Sequence, residues 1–247
     1  MRRPRTIRNG WYASRYVLGC HRLTFPLLRF APAPYVRKTV DADTDACVDG
    51  FPRSANTLAV HAFLRLNPGT RLAHHVHLPQ QILRAVEMKV PCAVLVRNPL
   101  DALTSLSIFA EQELSERLAV WTYVHFHRTM LELRDRVALC AFEEVIADPA
   151  VVPRRLNERY GTSFHADPME PEATRHLIAE IERTHRFERN KPGSFTVPIT
   201  EKERRKPRVR EHIARQPAMA EAETVYRELA AGIRRGSQHQ GVTISRS

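Results

Sequence analysis

Between residues 48 and 64 the chain reads VDGFPRSANTLAVHAFL. A short apolar run, Ala46-Cys47-Val48, meets a turn at Gly50-Phe51-Pro52. Arg53, Ser54, Ala55, Asn56 and Thr57 follow, and then Leu58, Val60, Ala62 and Phe63 recur as on a helix. The order strand, loop, helix leaves the first backbone N–H groups of the helix without partners inside it. Together with the helix dipole, those groups make a seat for an anion, most often a phosphate. The register fits the nucleotide-binding pattern G-x-x-x-x-G-K-[ST] with Gly50 as its first glycine. Asn56 stands where the lysine would reach a β- or γ-phosphate, which argues against ATP or GTP hydrolysis. Ala55 replaces the second glycine, which the start of a helix accepts if its φ is negative. Arg53 supplies a fixed positive charge.

Three further polar groups follow short apolar runs. His77 follows Leu72 to Val76, Arg97 follows Ala93-Val94-Leu95-Val96, and Glu143 follows Val137 to Phe142. Neutral imidazole is a base near pH 7, and a guanidinium reads a phosphate in bidentate fashion. Read singly, each residue has a plainer role. Arg97 could pair with Asp101 four residues on, His77 could be a satisfied strand-end histidine, and Glu143 suits a helix N-terminus. His75 and His77 would share a strand face. With no cysteine or carboxylate at ligand spacing, no metal is expected there.

The elements needed to position these groups are legible. The spacing predicts strands near 46–50, 72–76, 93–96 and 137–142. Helices are predicted from the loop to Leu66, over 80–88, from Asp101 to Ala110 and over 113–135. Helices broken by Pro168, Pro171, Pro192, Pro198, Pro207 and Pro217 are expected to follow. Uninterrupted β-branched runs suit strands buried on both faces. Alternating strands and helices predict an α/β fold, three-layered and P-loop-like, with a central parallel sheet flanked by helices. Ligands of such sheets bind beyond the carboxyl ends of the strands, where Arg53, His77, Arg97 and Glu143 all fall. Met130 and Trp121 are assigned to the core. Residues 1–10 read as a mobile basic arm, 11–232 as one domain and 233–247 as a disordered tail.

Four stretches in the same order resemble the sulfotransferases that use 3'-phosphoadenosine 5'-phosphosulfate. Phe51 to Thr57 resembles the family's 5'-phosphosulfate loop, and Val76-His77-Leu78-Pro79 resembles the stretch with the catalytic histidine. Val94 to Asp101, continuing to Ser105, resembles the 3'-phosphate motif. Ala141-Phe142-Glu143-Glu144-Val145 to Asp148-Pro149 resembles the family's Tyr-Glu-Asp-Leu segment. The resemblance covers about residues 46–150. It implies that the sulfuryl donor is this nucleotide and that no metal is needed. His77 is implied as base for the acceptor and Arg53 as the cation on the leaving phosphate. Ser54, Ala55, Asn56 and Thr57 would hold the 5'-phosphate, and Arg97 with Ser105 the 3'-phosphate. Leu58 stands where many relatives place a tryptophan against the adenine, and Phe142 replaces a tyrosine. Arg189 and Lys191, in Arg189-Asn190-Lys191-Pro192-Gly193, are the nearest match to a second 3'-phosphate contact.

Bulk composition is compatible with this. The chain has 247 residues, 43% hydrophobic, with 38 Lys and Arg against 27 Asp and Glu, a formal charge of +11. That favours an anionic partner. Arg2, Arg3, Arg5 and Arg8 crowd one end, and Lys202, Arg204, Arg205, Lys206, Arg208 and Arg210 a late segment. Four scattered cysteines with no CxxC suggest free thiols and a reducing, cytoplasmic setting. The early apolar region, residues 16–30, is too interrupted for a bilayer span, though a basic aromatic segment can lie on an anionic membrane surface. The acceptor is open: a small molecule, a glycan or a lipid head group. The alternatives are a P-loop-type nucleotide phosphotransferase or kinase, a nucleic-acid-binding protein, and a binding protein that has lost activity.

Overall fold

A computed structural model describes residues 13–14, 16–26, 38–109, 115–189 and 200–238, with the side chains of 185–189, 200–203 and 235–238 outside the described set. Four strands, β1 (Ala46–Gly50), β2 (Leu72–His74), β3 (Cys92–Val96) and β4 (Ala138–Ala141), form one sheet in the order β2-β1-β3-β4. All three pairings are parallel. The α/β reading with a central parallel sheet is therefore correct. The helices are α1 (Asn56–Leu66), α2 (Pro79–Glu87), α3 (Pro99–Phe109), α4 (Glu116–Leu133), α5 (Phe142–Ala147), α6 (Val151–Tyr160), α7 (Pro171–Arg189), α8 (Thr200–Ala214) and α9 (Met219–Gln238).

Both faces of the sheet are covered, and the strand residues divide by alternation. Cys47, Cys92, Val94 and Val96 join one core with side chains of α2, α3, α4 and α9. Ala46, Val48, Ala93 and Leu95 join the other with side chains of α1 and α6. Every residue of β1 and β3 is buried, which explains the apolar runs Ala46-Cys47-Val48 and Cys92 to Val96. The free cysteines Cys47, Cys92 and Cys140 lie buried in β1, β3 and β4. Gly50 ends β1 where a Cβ would come within 2.5 Å of the Leu95 carbonyl oxygen. Only glycine lets the two central strands run so close just before the loop.

Some boundaries move for local reasons. β2 ends at His74, because His75 and His77 both take positive φ, 57° and 59°. The two histidines therefore do not share a strand face. α4 starts at Glu116, capped by the Ser115 hydroxyl, which accepts from Leu118 N–H at 3.3 Å. Pro207 lies inside α8 and does not end it. α9 runs on to Gln238, past the point at which the tail was expected. Met130 is fully buried, as assigned, but Trp121 is 43% exposed and is not core.

His127 is buried in α4 with its ring stacked on Tyr123 at 3.8 Å between centroids. Its Nδ1–H donates to the Tyr123 carbonyl at 2.8 Å, and its Nε2 has no partner. Burial pushes the imidazole from 6.5 down to about 4, against the opposing pull of that hydrogen bond. The unfolded chain takes up a proton near pH 6.5 that the folded chain refuses until about pH 4. Stability is thus fully present above pH 6.5 and is lost as pH falls between those values, by about 1.4 kcal/mol per unit. His127→Phe is expected to flatten this limb, measured as denaturation midpoints from pH 7 to pH 4, with little cost at pH 7. An unchanged acid limb would show that His127 does not drive it.

Candidate functional site

The loop between β1 and α1 has an unusual backbone. Arg53 and Ala55 both lie in the left-handed region, at φ 73° and 67°. Ala55 is the N-cap of α1 and provides no side-chain cap. The expectation of a negative φ at Ala55 is therefore wrong: the position keeps the conformation that a glycine would adopt freely. Holding alanine there costs about 1 kcal/mol. Ala55→Gly is expected to stabilise the fold by that amount and to raise the melting temperature by about 2–4 °C. A lowered melting temperature would count against this loop geometry.

Two of the expected ligand side chains are enclosed, and one of them, Asn56, braces the loop itself. Ser54 is fully buried, and its hydroxyl has neither solvent access nor a partner. Asn56 is 4% exposed, and its Nδ2 donates to the Phe51 carbonyl at 3.0 Å. The slot of a nucleotide-binding lysine thus holds an internal brace. Thr57 meets His75 Nε2 through its hydroxyl at 3.2 Å. Leu58 also departs from its expected place beside an adenine, since it packs with Ala62 against Leu177 and Ile181 of α7. What the loop presents to an anion is the uncapped start of α1 and the Arg53 side chain.

Arg53, Arg97 and Ser105, separated by up to 52 residues in sequence, come together. Arg53 Nε donates to the Ser105 hydroxyl at 3.0 Å, and Arg97 Nη1 donates to the Arg53 carbonyl at 2.7 Å. The Arg97 carbonyl accepts from the Tyr123 hydroxyl at 2.7 Å, which fixes the end of β3. Phe142, the first residue of α5, lies under the Arg97 guanidinium at 3.9 Å. Its ring makes a cation–π contact with the side chain expected to read the 3'-phosphate. Burial, and after it the Arg97 charge, lowers the Arg53 guanidinium to about 10, still charged at neutral pH. Burial also lowers Arg97, against Asp101 and Glu143 nearby. Arg97 does not make the plainer alternative, an ion pair with Asp101, which is bonded to Arg210 of α8. Arg97 Nε is buried with no partner, an orphaned cationic donor of the kind that an anion satisfies.

On the other side of the loop, His77 Nδ1 lies 2.7 Å from the Gly50 carbonyl and 3.0 Å from Asp49 Oδ1. Both neighbours are acceptors, so Nδ1 carries the proton and the neutral ring keeps its lone pair on Nε2. Asp49 is fully buried. Its Oδ1 also accepts from Gly50 N–H at 2.8 Å, and its Oδ2 from the N–H groups of Val76 at 2.8 Å and His77 at 3.1 Å. Burial pushes this carboxyl up, but the attraction of the His77 ring when it is protonated, together with the hydrogen bonds, outweighs it, and the group sits below its usual value. A carboxylate orienting an imidazole by its Nδ1–H is the arrangement of a positioned general base. Sequence reasoning missed Asp49. Its signal was a lone acid inside an apolar strand, since a charge buried there must have partners. His74 and His75 touch through their Nδ1 atoms at 2.7 Å, and burial above all lowers them to about 4 and about 2.

Beyond β3 and β4 a cavity of about 380 Å³ opens, lined by Val96, Ala141, Glu143, Tyr226, Ala230 and Ile233. Glu143 and Glu144 both line this cavity with α9, as does Arg234, and Glu144 is also bound to Arg155 at 2.7 Å. Arg189's side chain and Lys191 lie outside the described residues. Among the described residues, no group of three or more His, Cys, Asp or Glu is arranged to hold a metal ion, and no helix is long and apolar enough to cross a membrane. Comparison with protein-family models, with curated proteins and with solved structures returns no match.

Proposed function

We propose that this protein transfers a sulfuryl group from 3'-phosphoadenosine 5'-phosphosulfate to a hydroxyl or amine of an acceptor. The observation that carries the reading is the junction of Arg53 with Ser105 and Arg97. It joins the loop that would hold a 5'-phosphate to the strand end that would hold a 3'-phosphate. The brace made by Asn56 in the lysine slot favours this nucleotide over a triphosphate. Arg53 and the start of α1 would hold the 5' end, and the orphaned Arg97 Nε and the Ser105 hydroxyl the 3'-phosphate. The cavity at β3 and β4 has room for the base, with Glu143 as acceptor for its exocyclic amine.

Bound there, the donor supplies an activated sulfuryl group. The acceptor forms the new bond to sulfur as the sulfur–oxygen bond to phosphate breaks. Its proton passes to His77 Nε2, and Arg53 neutralises the phosphate left behind. Catalysis is then mainly positioning and charge stabilisation, as in phosphoryl transfer.

The test is binding of adenosine 3',5'-bisphosphate against AMP by calorimetry. The extra phosphate is expected to tighten binding at least about tenfold, the worth of one charge-assisted hydrogen bond. Equal affinity for both would overturn the reading.

A further inference from the structure

Six large apolar side chains are exposed among the described residues; three lie on the segment 16–26, and two, Trp121 and Met88, lie on elements that this segment touches. Val17, Leu18 and Leu23 are 55%, 56% and 79% exposed. Trp121 lies edge-on to Tyr16 at 5.6 Å, and Met88 follows Glu87, whose carboxylate meets Arg22 at 3.7 Å. Single exposed apolar residues need no explanation, whereas a contiguous group marks an interaction surface.

The segment that carries the group is firmly seated. Tyr16 and Phe25 are buried with Val76 and Leu78, the two neighbours of His77. The Tyr16 hydroxyl donates to the Thr122 carbonyl at 3.1 Å. A Cβ on Gly19 would lie 2.4 Å from a Leu78 methyl. Buried residues thus anchor the segment against the two neighbours of the proposed base, while Val17, Leu18 and Leu23 stay exposed.

Cations border the group, one of them, Arg22, paired with Glu87. Arg22 and Lys89 are exposed beside it, as is Arg117, one helical turn before Trp121. Arg2, Arg3, Arg5 and Arg8 precede it in the chain. Aliphatic residues flanked by an interfacial tryptophan and by cations match the boundary of an anionic bilayer, where apolar side chains enter the acyl edge and cations meet lipid phosphates.

We infer that the surface formed by Val17, Leu18, Leu23, Met88 and Trp121 docks the protein onto an anionic membrane. Sulfuryl acceptors carried in that surface would then reach His77 directly, and this last clause rests on the function proposed above. Docking itself is read without nucleotide, so its failure and the failure of sulfuryl transfer are separate results.

The experiment is co-sedimentation of the full chain with vesicles of phosphatidylcholine alone or with about one-third phosphatidylglycerol, a fraction giving a strongly negative surface. The expected result is binding to the anionic vesicles only, with a blue shift of Trp121 emission in a Trp11→Phe background. Leu18→Ser/Leu23→Ser is expected to weaken binding at least about tenfold, and Leu23→Ser alone, at the most exposed site, measurably. The single variant stands as the test if the double one fails to fold. No binding to either vesicle would overturn the inference. So would full binding by the serine variants, with loss only on removing residues 1–10, which would assign the contact to the basic arm alone. A doubled mass without vesicles, abolished by the same substitutions, would assign the surface to a second copy of the chain and overturn it as well.

Discussion

Replacing Asp49 by asparagine is expected to lower sulfuryl transfer by about 10²–10⁴-fold, the scale seen when an imidazole base loses the carboxylate that fixes its tautomer. His77→Ala sets the floor for comparison. Asparagine fits the site but cannot do what the carboxylate does. Asp49 receives Gly50 N–H and the His77 ring on one oxygen, and the N–H groups of Val76 and His77 on the other. An amide has one accepting oxygen, so its nitrogen would face donors on one side. Leaving such buried donors unmet costs about 1–3 kcal/mol of stability, so the melting temperature must be read beside the rate. A merely structural role would change stability alone. The positioning role also shifts the His77 ring between tautomers, which nitrogen-15 NMR of the imidazole detects. Unchanged turnover with an unchanged ring spectrum would remove Asp49 from the site.

The second large effect is at Arg97. Arg97→Ala is expected to abolish the preference for adenosine 3',5'-bisphosphate over AMP, a loss of about 10–100-fold in affinity for the former and little for the latter. The guanidinium is well placed for selectivity. Its Nη1 holds the Arg53 carbonyl, its face lies on Phe142, and its Nε has no partner. Arg97→Lys is expected to recover little, because lysine offers a point charge and not a planar fork. The loop would lose one hydrogen bond at Arg53, so a weaker 5'-phosphate contact accompanies the change. Retained discrimination in Arg97→Ala would place the 3'-phosphate elsewhere.

Most of the scaffold was legible because buried parallel strands leave plain traces. Cys47-Val48 and Ala93 to Val96 are apolar on both faces, and Asn67-Pro68-Gly69 marks the end of α1. Gathering the polar residues at strand ends followed from the topology alone. What escaped depended on backbone conformation and on partners distant in sequence. Nothing local signals that Ala55 takes a positive φ, or that His75 and His77 do so and end β2 early. Ser54 and Leu58 read as ligand contacts because position in a motif does not reveal burial; both face inward. Trp121 read as core because its helical spacing is right, yet its ring meets the buried Tyr16 edge-on and stays 43% exposed. Asp49 was visible as a letter and silent as a role until Val76 and His77 folded back onto it.

The order β2-β1-β3-β4 has a kinetic consequence for the proposed reaction. His77 follows β2, the phosphate loop follows β1, Arg97 follows β3 and the cavity lies beyond β3 and β4. From first to last this is three inter-strand steps, about 14 Å along one edge. The nucleotide would occupy the loop and the β3–β4 end, leaving the approach beside β2 to the acceptor. Neither ligand then has to leave before the other arrives. Such a layout calls for a sequential mechanism through a ternary complex, with initial-rate plots that intersect and no sulfated enzyme form between two half-reactions.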